Sequence, residues 1–145
     1  MKTDLIRIEH VNLTVPNLIE AVAFLSVVFP DFRERCRGTS QGDCEWLHFG
    51  NDYSYFALEM PFDGGSNGSS SKGRSEAGVN HIGFEVADLG AIADRLRNAG
   101  HEVRMNDDRP YRMRGYVEDP QVDGLQWEFV EYLTDRVEDR IKSAA

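Results

Sequence analysis

Four residues carry the chemistry open to this chain. His10 and Glu59 bracket its first half, and His81 and Glu128 bracket its second, with separations of 49 and 47 residues. Imidazole nitrogens with carboxylate oxygens suit Zn²⁺, Ni²⁺, Mn²⁺, Co²⁺ or Fe²⁺, whereas Ca²⁺ and Mg²⁺ prefer oxygen alone. Two neutral imidazoles and two carboxylates would neutralise such an ion and leave positions for water or substrate. A lone histidine or glutamate on a strand's polar face is usually only solvated. A His/Glu pair repeated in each half favours a divalent-metal site.

The elements that must position these residues can be read from pattern. Residues 6–15 alternate and are β-rich, which predicts a strand. Pro16-Asn17 opens a helix with Leu18, Val22, Leu25 and Phe29 at helical spacing, and Pro30 stops it. Strands are expected at about 32–37, 44–50 and 53–60. The segment 61–78, with its Gly/Ser run at 64–71, reads as a flexible linker and holds Lys72 and Arg74, the one locally basic spot. A tether is favoured over a lid for it.

After the linker the pattern restarts. A strand over 79–86 leads to Asp88 as helix cap, then a helix over 89–99 with Leu89, Ile92, Ala93 and Leu96 on one face, stopped by Gly100. Strands follow at 101–105, 112–118 and 125–132, and a short amphipathic helix at about 133–143 shows Leu133, Val137 and Ile141. Residues 10–18 align with 81–89 at a constant offset of 71. This is an internal duplication of a βαβββ unit. Pleat parity then sets His10, Glu59, His81 and Glu128 opposite the apolar residues of their strands. The fold expected is α+β: two tandem βαβββ modules, about 5–60 and 79–132, forming one domain over 1–145. Its sheet is cupped and mostly antiparallel, with helices on the outer face.

Composition excludes other classes. The chain has 145 residues, and 25 Asp+Glu against 16 Lys+Arg give a formal charge of -9, which repels phosphate backbones and anionic membranes. No apolar run approaches the roughly 20 residues that span a bilayer. The start, Met1-Lys2-Thr3-Asp4, lacks a signal peptide's apolar core, so a cytoplasmic location is expected. Cys36 and Cys44 are then expected as free thiols.

These residues resemble the vicinal oxygen chelate superfamily, which includes glyoxalase I, fosfomycin-resistance thiol transferases, extradiol dioxygenases, methylmalonyl-CoA epimerase and bleomycin-resistance proteins. The resemblance covers about 6–132. It rests on His10 before Val15-Pro16-Asn17-Leu18, on His81 in Asn80-His81-Ile82-Gly83-Phe84-Glu85-Val86-Ala87-Asp88-Leu89, and on Tyr116-Val117-Glu118-Asp119-Pro120 leading to Asp123-Gly124 and Glu128. Gln121-Val122 interrupt the family's Asp-Pro-Asp-Gly turn. The resemblance implies paired modules around one divalent metal held by His10, Glu59, His81 and Glu128, a set similar to that of glyoxalase I.

It further implies a metal-stabilised enediolate, with Glu59 or Glu128 as the carboxylate that shuttles the proton. The implied substrate is a small molecule, such as a glutathione adduct of a 2-oxoaldehyde, and the implied assembly is a homodimer. Alternatives are an Fe²⁺ dioxygenase or thiol transferase using only His10, His81 and Glu128, or a small-molecule-sequestering protein. Arg112, Arg114 and Tyr116 alternate on one strand face and suit an anionic substrate group, although exposed arginines are equally expected there. Tyr55, Trp46 and His48 are candidates to line the pocket, with a structural role favoured for His48, and His101 is expected at the surface.

Overall fold

The computed structural model describes residues 7–40, 43–61 and 78–140. The Gly/Ser run at 64–71 and the basic pair Lys72 and Arg74 lie outside the described residues. The chain divides into two compact units, one of Met1–Ser69 with Pro120–Val122, the other of Ser70–Asp119 with Asp123–Ala145.

The first unit contains β1 (His10–Thr14), α1 (Leu18–Val28), β2 (Arg33–Thr39), β3 (Glu45–Gly50) and β4 (Tyr55–Glu59). Its sheet has the order β1-β4-β3-β2, with β1 parallel to β4 and the other two pairings antiparallel. Helix α1 starts where Asn17 Oδ1 accepts from the N–H groups of Ile19 and Glu20, at 3.0 and 3.1 Å. It ends at Val28, with Phe29 as its cap just before Pro30, which cannot continue a helix. Its buried face (Leu18, Ala21, Phe24, Leu25 and Val28) belongs to the same core as Leu47, Phe49, Phe56 and Leu58 of β3 and β4. Gln121 belongs to this unit as well, and its Oε1 accepts from Asn17 N at 2.9 Å.

The second unit repeats the plan with β5 (His81–Glu85), α2 (Leu89–Asn98), β6 (Arg104–Arg109), β7 (Arg112–Glu118), β8 (Gln126–Tyr132) and α3 (Val137–Arg140). The sheet order is β5-β8-β7-β6, with β5 parallel to β8. Asp88 Oδ1 accepts from Ala91 N, and Glu131 Oε2 from Leu89 N, both at 2.8 Å, so two carboxylates meet the positive end of α2. Leu89, Ile92, Ala93 and Leu96 are buried, as are Val117, Leu125, Trp127 and Phe129. Each such buried large side chain contributes about 1.5–3 kcal/mol of transfer free energy. Gly115 permits the close approach: a Cβ there would come within 2.9 Å of Leu89 Cδ1.

Each module therefore has the expected βαβββ order, and two elements differ from expectation. The strand expected at 101–105 is β6 at Arg104–Arg109, because residues 101–103 are used in leaving α2. Gly100 there takes φ 90°, and His101 N donates to Leu96 O at 2.9 Å. The helix expected at 133–143 is only the single turn of α3 within the described residues. Thr134 and Val137 explain it: Arg136 N donates to Thr134 Oγ1 at 3.2 Å in a local turn, and Leu133 and Val137 remain exposed rather than forming a buried seam.

Candidate metal centre

In the second module the sheet register assembles one half of the expected ligand set. Gly83 of β5 lies beside Glu128 of β8, and His81 is one pleat repeat earlier on the same face. His81 Nε2 and Glu128 Oε2 lie 3.1 Å apart. The donors fit an ion: two ligand atoms each about 2.1 Å from a metal, at a right angle, are about 3 Å apart. The other oxygen, Oε1, accepts from Tyr116 OH at 2.6 Å, and Arg114 Nη1 stands 3.8 Å from it. One oxygen is thus fixed by the sheet while the other faces the imidazole. Burial and the Glu128 carboxylate push the Tyr116 hydroxyl up to about 12, which keeps it a donor.

In the first module the strand register differs. His10 lies beside Tyr55, Asn12 beside Ala57, and Thr14 beside Glu59. Glu59 is therefore four strand positions from the level of His10, about 13 Å along the strand. The partner of Gly83 is Glu128, whereas the matching Asn12 is partnered by Ala57. Ala57 holds the place of Glu128, and Glu59 lies one pleat repeat beyond it. The two-residue difference between the separations of 49 and 47 preserved parity but not position. Among the described residues, no group of three or more His, Cys, Asp or Glu is drawn together as a metal cluster.

His10 is contacted by Glu9 and Tyr55. Its Nδ1 lies 3.1 Å from Glu9 Oε2, which leaves Nε2 as the outward nitrogen, as in the carboxylate–histidine pairs around bound metals. Its ring stacks on Tyr55 at 4.9 Å, Tyr55 meets His48 at 4.5 Å, and His48 meets Trp46 at 5.1 Å. Arg35 covers the Tyr55 ring at 4.5 Å. Trp46 can lie against β2 because residue 38 is glycine, where a Cβ would come within 2.6 Å of the indole. Burial first, then the positive charge of Arg35 and His10, lowers the His48 pKa. Cys36 is exposed and 3.4 Å from His48 Nδ1, while Cys44 is buried, and neither is in a disulfide among the described residues.

Three contacts escaped the sequence reading: Glu9 behind His10, the bond of Tyr116 to Glu128, and Arg109 directly across from Arg112. Only the last left a trace in the sequence, as Arg109-Pro110-Tyr111-Arg112-Met113-Arg114 in an acidic chain. Tyr116 was expected to meet substrate. Its hydroxyl donates to the Glu128 carboxylate.

Two βαβββ modules that carry a strand histidine on the face away from the helix define a class. A family model of the Glyoxalase/Bleomycin resistance protein/Dioxygenase superfamily matches residues 7–129, and the chain belongs to that superfamily. Solved structures share the fold. A glyoxylase/bleomycin resistance protein/dioxygenase domain from Frankia sp. is 22% identical, with TM-score 0.70 over 89% of this chain and 99% of that one. A glutamate-to-glutamine mutant of FosX, the fosfomycin resistance protein of Listeria monocytogenes, complexed with Mn(II) and 1S,2S-dihydroxypropylphosphonic acid, is 18% identical, with TM-score 0.68 over 95% and 99%. A glyoxalase family protein from Bacillus cereus is 17% identical, with TM-score 0.71 over 92% and 98%. At these identities the likeness carries the fold alone. No curated protein matches the chain by sequence.

Proposed function

We propose that the chain is a divalent-metal-dependent enzyme acting on a small molecule, with His81 and Glu128 as ligands and His10 as the further imidazole that the family resemblance implies. The observation that carries this reading is Glu128, one oxygen fixed by Tyr116 and the other 3.1 Å from His81 Nε2. Asn12 pairs with Ala57 whereas the matching Gly83 pairs with Glu128, and this difference between the modules supports three protein ligands rather than the four of glyoxalase I. The FosX relative complexed with Mn(II) is consistent with such a metal. When bound, the ion would supply Lewis-acid polarisation of a substrate oxygen.

The chain's own groups have separate tasks in this reading. Tyr116, held protonated, donates to Glu128 Oε1 and so keeps Oε2 toward His81. Glu9 holds Nδ1 of His10 and sets its tautomer. A two-histidine, one-carboxylate set equally suits Fe²⁺ and O₂, so the dioxygenase reading stays with it as the alternative. Purified protein loaded in turn with Mn²⁺, Ni²⁺, Zn²⁺ or Fe²⁺ tests the choice. Turnover of the methylglyoxal–glutathione adduct with Ni²⁺ or Zn²⁺ would overturn the three-ligand assignment. O₂ uptake with Fe²⁺ and catechols would select the alternative. Failure to bind any of the four ions would remove the enzyme reading and leave a sequestering protein.

A further inference from the structure

The second sheet carries cationic side chains that the metal reading does not use. On the face that presents Glu128, Tyr116, Arg114 and Arg112 occupy successive same-face positions of β7, and Arg109 of β6 lies directly across from Arg112. Like charges in register across a hairpin repel. Arg112 Nε is buried and has no hydrogen-bond partner among the described residues, and its guanidinium stands 5.9 Å from the Tyr111 ring centroid. A buried charged donor without an acceptor is costly, and an anion would relieve that cost. The Arg114 side chain is only 17% exposed and faces the site through Glu128. Two acids on this face are engaged elsewhere: Glu85 pairs with Arg140, and Glu118 accepts from Gln126 Nε2 at 2.6 Å.

We propose that Arg112 and Arg114, flanked by Arg109, form the seat for an anionic group of the substrate: a carboxylate, phosphate or phosphonate. The guanidinium fork matches the paired oxygens that these groups share. Neighbouring same-face positions on a strand are about 7 Å apart, so an anion held by Arg112 and Arg114 lies one to two such steps from Glu128. The substrate class is therefore a small molecule whose anionic end lies about 7–14 Å from the Glu128 end of the site. This deepens the proposed function and rests on it for the identity of the reacting end.

Titration calorimetry of the full-length, metal-free protein with inorganic phosphate, methylphosphonate and acetate tests the seat. At least one anion should bind saturably. Arg112→Gln and Arg114→Gln should each weaken it by at least about tenfold, and Arg112→Lys by less, because charge remains without the fork. Arg97→Gln, on the exposed face of α2, should leave it unchanged. Preference for phosphate or methylphosphonate points to a phosphoryl or phosphonyl substrate, and preference for acetate to a carboxylate; either supports the seat. Circular dichroism checks folding, and Arg112→Lys carries the comparison if Arg112→Gln does not fold. Mn²⁺ binding, followed by electron paramagnetic resonance on the same samples, separates the two proposals. Loss of Mn²⁺ binding with anion binding intact would remove the metal reading and leave the seat. Saturable binding of none of the three anions, or equal binding by wild type and the Arg112 variants, would overturn the seat whether or not Mn²⁺ binds.

Discussion

The two oxygens of Glu128 face different partners, and this division is what makes the residue a ligand candidate rather than a solvated acid. Oε1 takes the Tyr116 hydroxyl at 2.6 Å, and Oε2 faces His81. Tyr116→Phe removes the donor and keeps the ring. It should lower Mn²⁺ affinity by about 10–100-fold, read by electron paramagnetic resonance, because partners that orient a ligand carry effects of that size. His48 gives a second prediction at this scale. Its pKa is lowered from the usual 6.5, mainly by burial and then by Arg35 and His10, so the unfolded chain takes up the proton first as pH falls. Stability from the neutral ring is present above 6.5 and lost as pH falls through the lower folded value. Melting temperature should therefore drop further between pH 7.5 and pH 5 in wild type than in His48→Gln; equal drops would contradict the assignment.

At the scale of elements, α2 and β7 touch through a glycine. A Cβ at Gly115 would meet Leu89 Cδ1 at 2.9 Å, so Gly115→Ala should destabilise by about 1–3 kcal/mol in urea unfolding. Gly83→Ala is the comparison, since its Cβ would find only Glu128 Oε2, at an ordinary 3.8 Å. The helices and inner strands were legible because apolar residues recur at clear periods, as in Leu89, Ile92, Ala93 and Leu96. The outer strand β6 was misplaced because Arg104–Arg109 is wholly polar apart from Met105: it pairs only with β7, and no hydrophobic pattern marks its ends. The α3 segment misled in the opposite way, since its spaced apolar residues Leu133 and Val137 stay exposed among the described residues. Parity correctly set Glu59 on the face of His10, but parity repeats every two residues and cannot fix register. Only the pairing of Thr14 with Glu59 shows the displacement.

For the whole molecule, the formal charge is -9. The face beside Glu128 is locally cationic, through Arg109, Arg112 and Arg114, against that acidic background. A local positive field of this kind would draw an anionic small molecule to one place. Among the described residues, no helix is long and apolar enough to cross a membrane. Metal binding should also stabilise the fold: at 100 times the dissociation constant the linkage is about 2.7 kcal/mol, a melting shift on the order of 5–10 °C for a chain of this length. A melting temperature unmoved by saturating Mn²⁺ would argue against a site present only in the folded chain.

Because Glu59 and Glu128 lie on corresponding strands and differ by one pleat repeat, a single comparison bears most directly on the ligand set. Mn²⁺ affinity measured by electron paramagnetic resonance for wild type, Glu59→Gln and Glu128→Gln should stay within about twofold of wild type in the first variant. It should fall by well over about tenfold in the second. Equal loss in both variants would restore a four-ligand set, and full affinity in Glu128→Gln would contradict the centre itself.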